Sequence, residues 1–228
     1  LIPSIVWGLW LLAGFLALGL FWRLASRRRS IPFPAWLAGL LDNPLADWIG
    51  GTATTLDRIG LRPGEHVLDV GCGPGRLSLP SARRVGPEGA VTALDLQGGM
   101  VIRVRQRTAE LGLTNLHTLS GDCTQPGLLP EGTFDRAWLV TVLGEIPDQA
   151  AALQQVYRAL RPGGSLAVSE VFGIDPHYQS PDTVVRLGAA AGFEPGERLG
   201  PWWSFTQQLI KPGSAGPTTT IAARHRDG

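Results

Sequence analysis

The stretch Val67–Arg76, VLDVGCGPGR, sets three glycines and one proline within five residues directly behind an apolar run. Ordering bare backbone of this kind is costly, because glycine gives up more conformational freedom on folding than any other residue. Such a loop therefore marks a place where something must come close to the main chain. An apolar strand before it and a helical pattern after it make a strand–loop–helix unit. In an open α/β sheet, ligands bind beyond the carboxyl ends of such strands, where the strand order reverses.

The rest of the chain repeats that unit. His66–Gly71, Ala90–Asp95, Leu116–Asp122, Phe134–Leu143 and Ser165–Phe172 read as strands. Helical patterns cover Arg76–Val85, Gly99–Leu111, Asp148–Leu160 and Pro181–Ala191, with Arg161-Pro162-Gly163-Gly164 closing the third of these. An earlier helical pattern runs from Asn43 to Leu61 and stops at Arg62-Pro63-Gly64. Alternation on this scale predicts right-handed crossovers and a parallel sheet covered on both faces. Glu197–Leu199 and Trp203–Ile210 read as two more strands, paired antiparallel at an edge. The expected fold is a Rossmann-like, seven-stranded, mostly parallel sheet. No internal repeat is evident.

Two cofactor classes compete for the loop. A dinucleotide fingerprint would need a third glycine where Arg76 stands, and Pro74 removes an N–H that a pyrophosphate would use. The wider pattern points elsewhere. VLDVGCGPGR, the acidic end of the next strand in ALDLQ, GDC after the third strand and YRALRPGG before the fifth resemble the class I S-adenosylmethionine-dependent methyltransferases, in order and spacing, from about Arg62 to Phe172. FDRAWLVTVLGEIPDQAAALQQVYRALRPGGSLAVSE is similar to the ubiquinone/menaquinone-biosynthesis C-methyltransferases. The resemblance implies S-adenosylmethionine as cofactor and S-adenosylhomocysteine as product. It implies that Asp69 orients the loop and that Gly71, Cys72, Gly73 and Gly75 pass under the methionine portion. Asp95 would accept the ribose hydroxyls, and Leu96 and Met100 would flank the adenine. Asp122 would reach the exocyclic amine with Cys123 beside it, and Thr141 and Leu143 would face the sulfonium. Read singly, Asp69 and Asp95 also fit capping or turn carboxylates, Asp122 a strand stop, and the two cysteines small packing residues, readings that the joint spacing disfavours for the carboxylates.

Methyl transfer from a sulfonium needs alignment and exclusion of water more than covalent help. If the acceptor must lose a proton, the candidate bases are Glu145 after the fourth strand and His177 and Tyr178 after the fifth; Asp148 reads as a helix N-cap. Soluble relatives insert a helical lid after the fifth strand, where this chain has only GIDPHYQS, Gly173–Ser180. The expected cover is Ser30–Gly51 together with a membrane surface, and the expected acceptor a lipophilic molecule: a quinone or polyprenyl-type ring, or alternatively a phospholipid amine. A non-catalytic cofactor-binding membrane protein and a methyltransferase of a membrane partner protein are the competing classes.

The membrane enters through Leu1–Trp22, which contains no charged residue and as a helix would be about 33 Å long, the thickness of a bilayer core. Arg23 and Arg27-Arg28-Arg29 follow it, which predicts a single transmembrane helix with everything downstream on the cytoplasmic side. A cleaved signal peptide would carry its charges before the apolar run. Residues 23–42 then form a basic, interfacial linker, 43–211 the methyltransferase domain and 212–228 a disordered tail. A net charge of +1 offers no field for nucleic acid, and two cysteines, Cys72 and Cys123, fit neither a zinc site nor a disulfide framework. No metal is expected.

Overall fold

The computed structural model describes residues 10, 14, 51–172 and 177–213. A helix α1 (Thr52–Ile59) leads into β1 (His66–Val70), α2 (Ser78–Val85), β2 (Ala90–Asp95), α3 (Gly98–Glu110), β3 (Leu116–Ser120) and β4 (Phe134–Val140). After a 3₁₀ turn at Leu143–Glu145 come α4 (Gln149–Ala159), β5 (Leu160–Val171), α5 (Pro181–Ala190), β6 (Glu194–Leu199) and β7 (Ser204–Ile210). The seven strands lie in the order β3-β2-β1-β4-β5-β7-β6. β7 runs antiparallel to both its neighbours, and the other pairings are parallel. This is the Rossmann-like sheet expected from the alternation, with the strand order reversing between β1 and β4.

Alternate residues of each strand feed two cores. Leu68, Val70, Leu139, Leu166 and Val168 pack with Leu153 and Val156 of α4 and Val184 of α5. Val67, Val91, Ala93, Trp138 and Ala167 pack with Leu56 and Ile59 of α1, Leu79 and Val85 of α2 and Val104 of α3. Strands buried on both faces read as nearly unbroken apolar runs, which is why β1, β2 and β4 were visible in the sequence. Asp148 does cap α4, accepting from the Ala151 N–H at 2.9 Å. Ser180 caps α5 in the same way, with Pro181 in its first turn.

Several boundaries differ from expectation. β1 ends at Val70, β3 at Ser120 and β4 at Val140, so Gly71, Asp122 and Thr141 lie on loops beyond the strands and Leu143 opens the 3₁₀ turn. α2 starts at Ser78, after the glycine loop rather than at Arg76. Arg161-Pro162-Gly163-Gly164 does not precede the fifth strand; β5 begins at Leu160 and carries these residues as an irregularity, pairing Phe134 with Leu160 and then Arg136 with Ser165. Among the described residues no helix is long and apolar enough to cross a membrane. The expected transmembrane span, the linker and the first part of the 43–61 helix lie outside the described residues, apart from Trp10 and Gly14. The tail beyond residue 213 does too.

Candidate active site

The glycine loop leaves β1 at the carboxyl edge and is pinned by the protein's own hydrogen bonds. Gly71 and Cys72 both donate to the Leu94 carbonyl, at 2.8 and 2.9 Å, and Gly75 donates to the Cys72 carbonyl at 3.0 Å. Arg107 reaches across from α3 to the Pro74 carbonyl at 3.2 Å. All three loop glycines have positive φ, at 73°, 51° and 87°. Their surroundings differ. A Cβ at Gly71 would stand 2.5 Å from Val142 Cγ2, and one at Gly75 would stand 3.1 Å from Val104 Cγ2. At Gly73 it would meet nothing within 4 Å. Two glycines thus admit the protein's own valines, and Gly73 is the one that faces open space.

Asp95, at the end of β2, ties that open stretch down. One carboxylate oxygen accepts from the Gly73 N–H and the other from the Gln97 N–H, both at 2.8 Å. Burial raises its pKa, while these two donors act in the opposite direction. An ionised carboxylate offers about four lone-pair sites, so one on each oxygen is left for a ligand hydroxyl. Leu96 beside it is 64 % exposed, an apolar surface suited to a flat ring. Met100 is buried in the first turns of α3. Asp122 accepts from the N–H and hydroxyl of Thr124, and Cys123 next to it is buried. Burial pushes the Cys123 thiol up to about 11 and raises that of Cys72 further still, so both cysteines are packing residues.

Asp69 lies one turn of chain beneath the loop and is almost fully buried. Its carboxyl accepts from the Ser78 hydroxyl at 2.5 Å, joining β1 to the start of α2. Burial raises its pKa to about 7; the Ser78 hydroxyl, the indole of its cross-strand neighbour Trp138 and the charge of Arg76 pull the other way. It braces the loop from below.

The remaining candidate residues lie beyond the ends of β4 and β5. Among the described residues Thr141 is the one non-glycine with positive φ, at 55°, a conformation costly for a β-branched side chain and often found at functional sites. Its N–H donates to Ser169 and its hydroxyl to the Val140 carbonyl. Leu143 is fully buried in the core with Leu139 and Leu153, so its side chain is committed there. Gly144, in the same turn as Glu145, packs against the His177 carbonyl so closely that no Cβ would fit. The structure therefore brings the Glu145 turn and the His177-Tyr178 loop together. Tyr178 donates to the Trp202 carbonyl at 3.5 Å, and its phenol pKa is raised, by burial first and by the charge of Glu170 second.

Sequence reasoning passed over Ser78, Gln97 and Glu170. Glu170 is a carboxylate 1 % exposed near the end of β5. Its signal was present: an acid inside LAVSEV, a strand buried on both faces, is seldom there by chance. Among the described residues no group of three or more His, Cys, Asp or Glu could hold a metal ion.

A family model described as "Methyltransferase domain" matches residues 67–164. A nocamycin O-methyltransferase from Saccharothrix syringae is 35% identical over 134 residues, 58% of this chain and 48% of its own length. A demethylmenaquinone methyltransferase from Listeria monocytogenes is 34% identical over 113 residues, 50% of this chain and 47% of its own length. The chain thus spans about half the length of these curated relatives. A crystal structure of a SAM-dependent methyltransferase from Aquifex aeolicus superposes with a TM-score of 0.72 at 25% identity, over 79% of this chain and all of the other.

Proposed function

We infer that this chain carries a class I S-adenosylmethionine-dependent methyltransferase domain, expected over residues 43–211 and matched by the family model over 67–164, and that it transfers the donor's methyl group to a lipophilic small molecule, with a quinone or polyprenyl-type ring favoured. The cofactor supplies an electrophilic methyl on a sulfonium. The observation that carries the reading is the pinned loop whose open position, Gly73, is tied to the Asp95 carboxylate beside an exposed Leu96. Gly73 would pass under the methionine portion, Asp95 would hold the ribose hydroxyls, and Leu96 would cover one face of the adenine. Thr141, at the end of β4, would fix the approach to the sulfonium. Glu145 and His177, whose segments meet at Gly144, would receive a proton leaving the acceptor.

A small-molecule acceptor is supported by the nocamycin O-methyltransferase among the relatives, and a quinone-type one by the demethylmenaquinone methyltransferase. A lipophilic one is supported by the charge-free Leu1–Trp22 with its following arginines, read as a single-pass anchor leaving the domain on the cytoplasmic side. Only residues 172–180 join β5 to α5, too few for a helical lid over the acceptor.

Incubating the full chain with radiolabelled donor and extracted membrane lipids tests this directly. Label is expected in a neutral, ring-bearing product identified by mass spectrometry. Label in a phospholipid headgroup would replace the acceptor, and no transfer at all would leave a cofactor-binding protein. Asp95→Ala is expected to weaken S-adenosylhomocysteine binding by about 100-fold, the loss of charged hydrogen bonds to a ligand. Unchanged calorimetric heat would remove the basis of the assignment.

A further inference from the structure

The carboxyl edge carries a group of aromatic side chains that the methyl-transfer site does not use. Phe172 is 54 % exposed, Trp202 71 % and Trp203 51 %. Phe172 stands just past β5, and its N–H donates to the Trp203 carbonyl at 2.7 Å. Its ring meets those of Tyr178 and Trp202 at centroid distances of 5.4 and 5.5 Å. β7 starts opposite the end of β5, Val171 facing Ser204, so the turn bearing both tryptophans lies at the same edge as the glycine loop and Thr141. The turn is rigidly held. Gly200 has a φ of 91° and is packed against Arg58, whose guanidinium donates to the Ser204 carbonyl at 3.1 Å. Fixed aromatic rings left in water on a braced turn are an interaction surface.

What covers them is argued from where the rest of the chain leaves the domain. Thr52, the first residue of α1, accepts from Arg76 just past the glycine loop, at 2.9 Å. The start of α1 is therefore at the carboxyl edge, and residues 1–50 depart from there. The charge-free Leu1–Trp22, read above as a membrane anchor, precedes α1 in the chain. The intervening residues 23–51 could stretch roughly 100 Å, so the tether alone would permit many orientations. The aromatic patch selects one. Tryptophan rings settle at the headgroup level of a bilayer, where an apolar body and a polar N–H are both accommodated, and a phenylalanine beside them adds apolar surface that can dip below that level.

We propose that Phe172, Trp202 and Trp203 seat the domain on the bilayer surface, carboxyl edge down, so that the acceptor side of the pocket opens onto the lipid. This rests on the membrane-anchor reading above. The partner is the headgroup layer itself. A second copy of the chain or the chain's own residues 1–50 covering the rings are outcomes the experiment separates.

Because the chain's two cysteines, Cys72 and Cys123, are buried with raised thiol pKas, an introduced surface cysteine can be labelled selectively. Full-length Trp202→Cys and Trp203→Cys, with Glu88→Cys on the opposite edge as control, would carry an environment-sensitive fluorophore. Each would be reconstituted with phosphatidylcholine–phosphatidylglycerol vesicles containing a headgroup-level nitroxide lipid. The protein is expected to float with the vesicles, with quenching severalfold stronger at 202 and 203 than at 88. Flotation with equal quenching at the two edges would overturn the docking surface and leave the anchor standing. Protection of 202 and 203 from both the lipid nitroxide and aqueous iodide would show the rings covered by protein, and would overturn it as well. Failure to float would remove the anchor and this inference together.

Discussion

Gly71 and Gly73 share a backbone sign and differ in what a side chain would cost. At Gly71 an added methyl meets both the left-handed strain and the Val142 methyls; Gly71→Ala is expected to lose about 3 kcal/mol of stability. Adding Val142→Ala should return part of that loss, measured by urea unfolding. Gly73→Ala has room, so it should cost about 1 kcal/mol and act mainly on donor affinity. Asp69 gives a pH signature. Its folded pKa, about 7, lies above the ordinary carboxylate value of 3.8. The unfolded chain therefore ionises first as pH rises, and this residue's contribution is full at low pH and lost between about pH 4 and pH 7. The Asp69→Asn variant should lack that slope, a difference of about 4 kcal/mol across the window, read from unfolding curves at its two ends. The spacing of Asp69 and Asp95 behind and beyond the loop was legible in the sequence. Their partners Ser78 and Gly73 were not, because a hydrogen bond between α2 and β1 leaves no periodic trace.

At the scale of elements, the join between α4 and β5 shows where sequence reading stops. Pro162-Gly163-Gly164 has the composition of a turn, and turn is the natural reading. The structure keeps these residues in the strand because Leu160 already pairs with Phe134, a registration between distant segments that no local pattern displays. The end of α4 is held by Lys211, the chain's only lysine. Its ammonium donates to the Tyr157 and Leu160 carbonyls at 2.8 and 2.7 Å and stands 4.7 Å over the Tyr157 ring. These are helix-terminal carbonyls that would otherwise lack a donor. Lys211→Met should keep the stem and lose about 1–2 kcal/mol, with the earliest amide exchange at the α4–β5 join. The apolar runs of β1, β2, β4 and β5 were legible because both their faces are buried. The edge strand β6, mostly exposed, was found only over its last residues.

For the whole molecule, the sheet order puts the glycine loop, the Thr141 turn and the aromatic turn on one rim, with the start of α1 beside them. Removing residues 1–41 is expected to leave S-adenosylhomocysteine affinity near normal, since no donor contact proposed above comes from them. Activity on a bilayer-embedded acceptor should be abolished, which an assay with acceptor in vesicles would measure; equal turnover by the shortened chain would detach the anchor from the chemistry. The fold was readable because alternating strands and helices admit few topologies. The rim was not, since Phe172 and the Trp202-Trp203 pair are distant in sequence and meet only through β5–β7 pairing.

Asp95 binds two separate points of the main chain with the same two oxygens that would receive the sugar. The shape of the cradle and its grip on a nucleoside are therefore one property rather than two. No single replacement at that position can weaken the hold while sparing the contour, so drift toward a different nucleotide would have to begin elsewhere, at Leu96 or in the turn after β3.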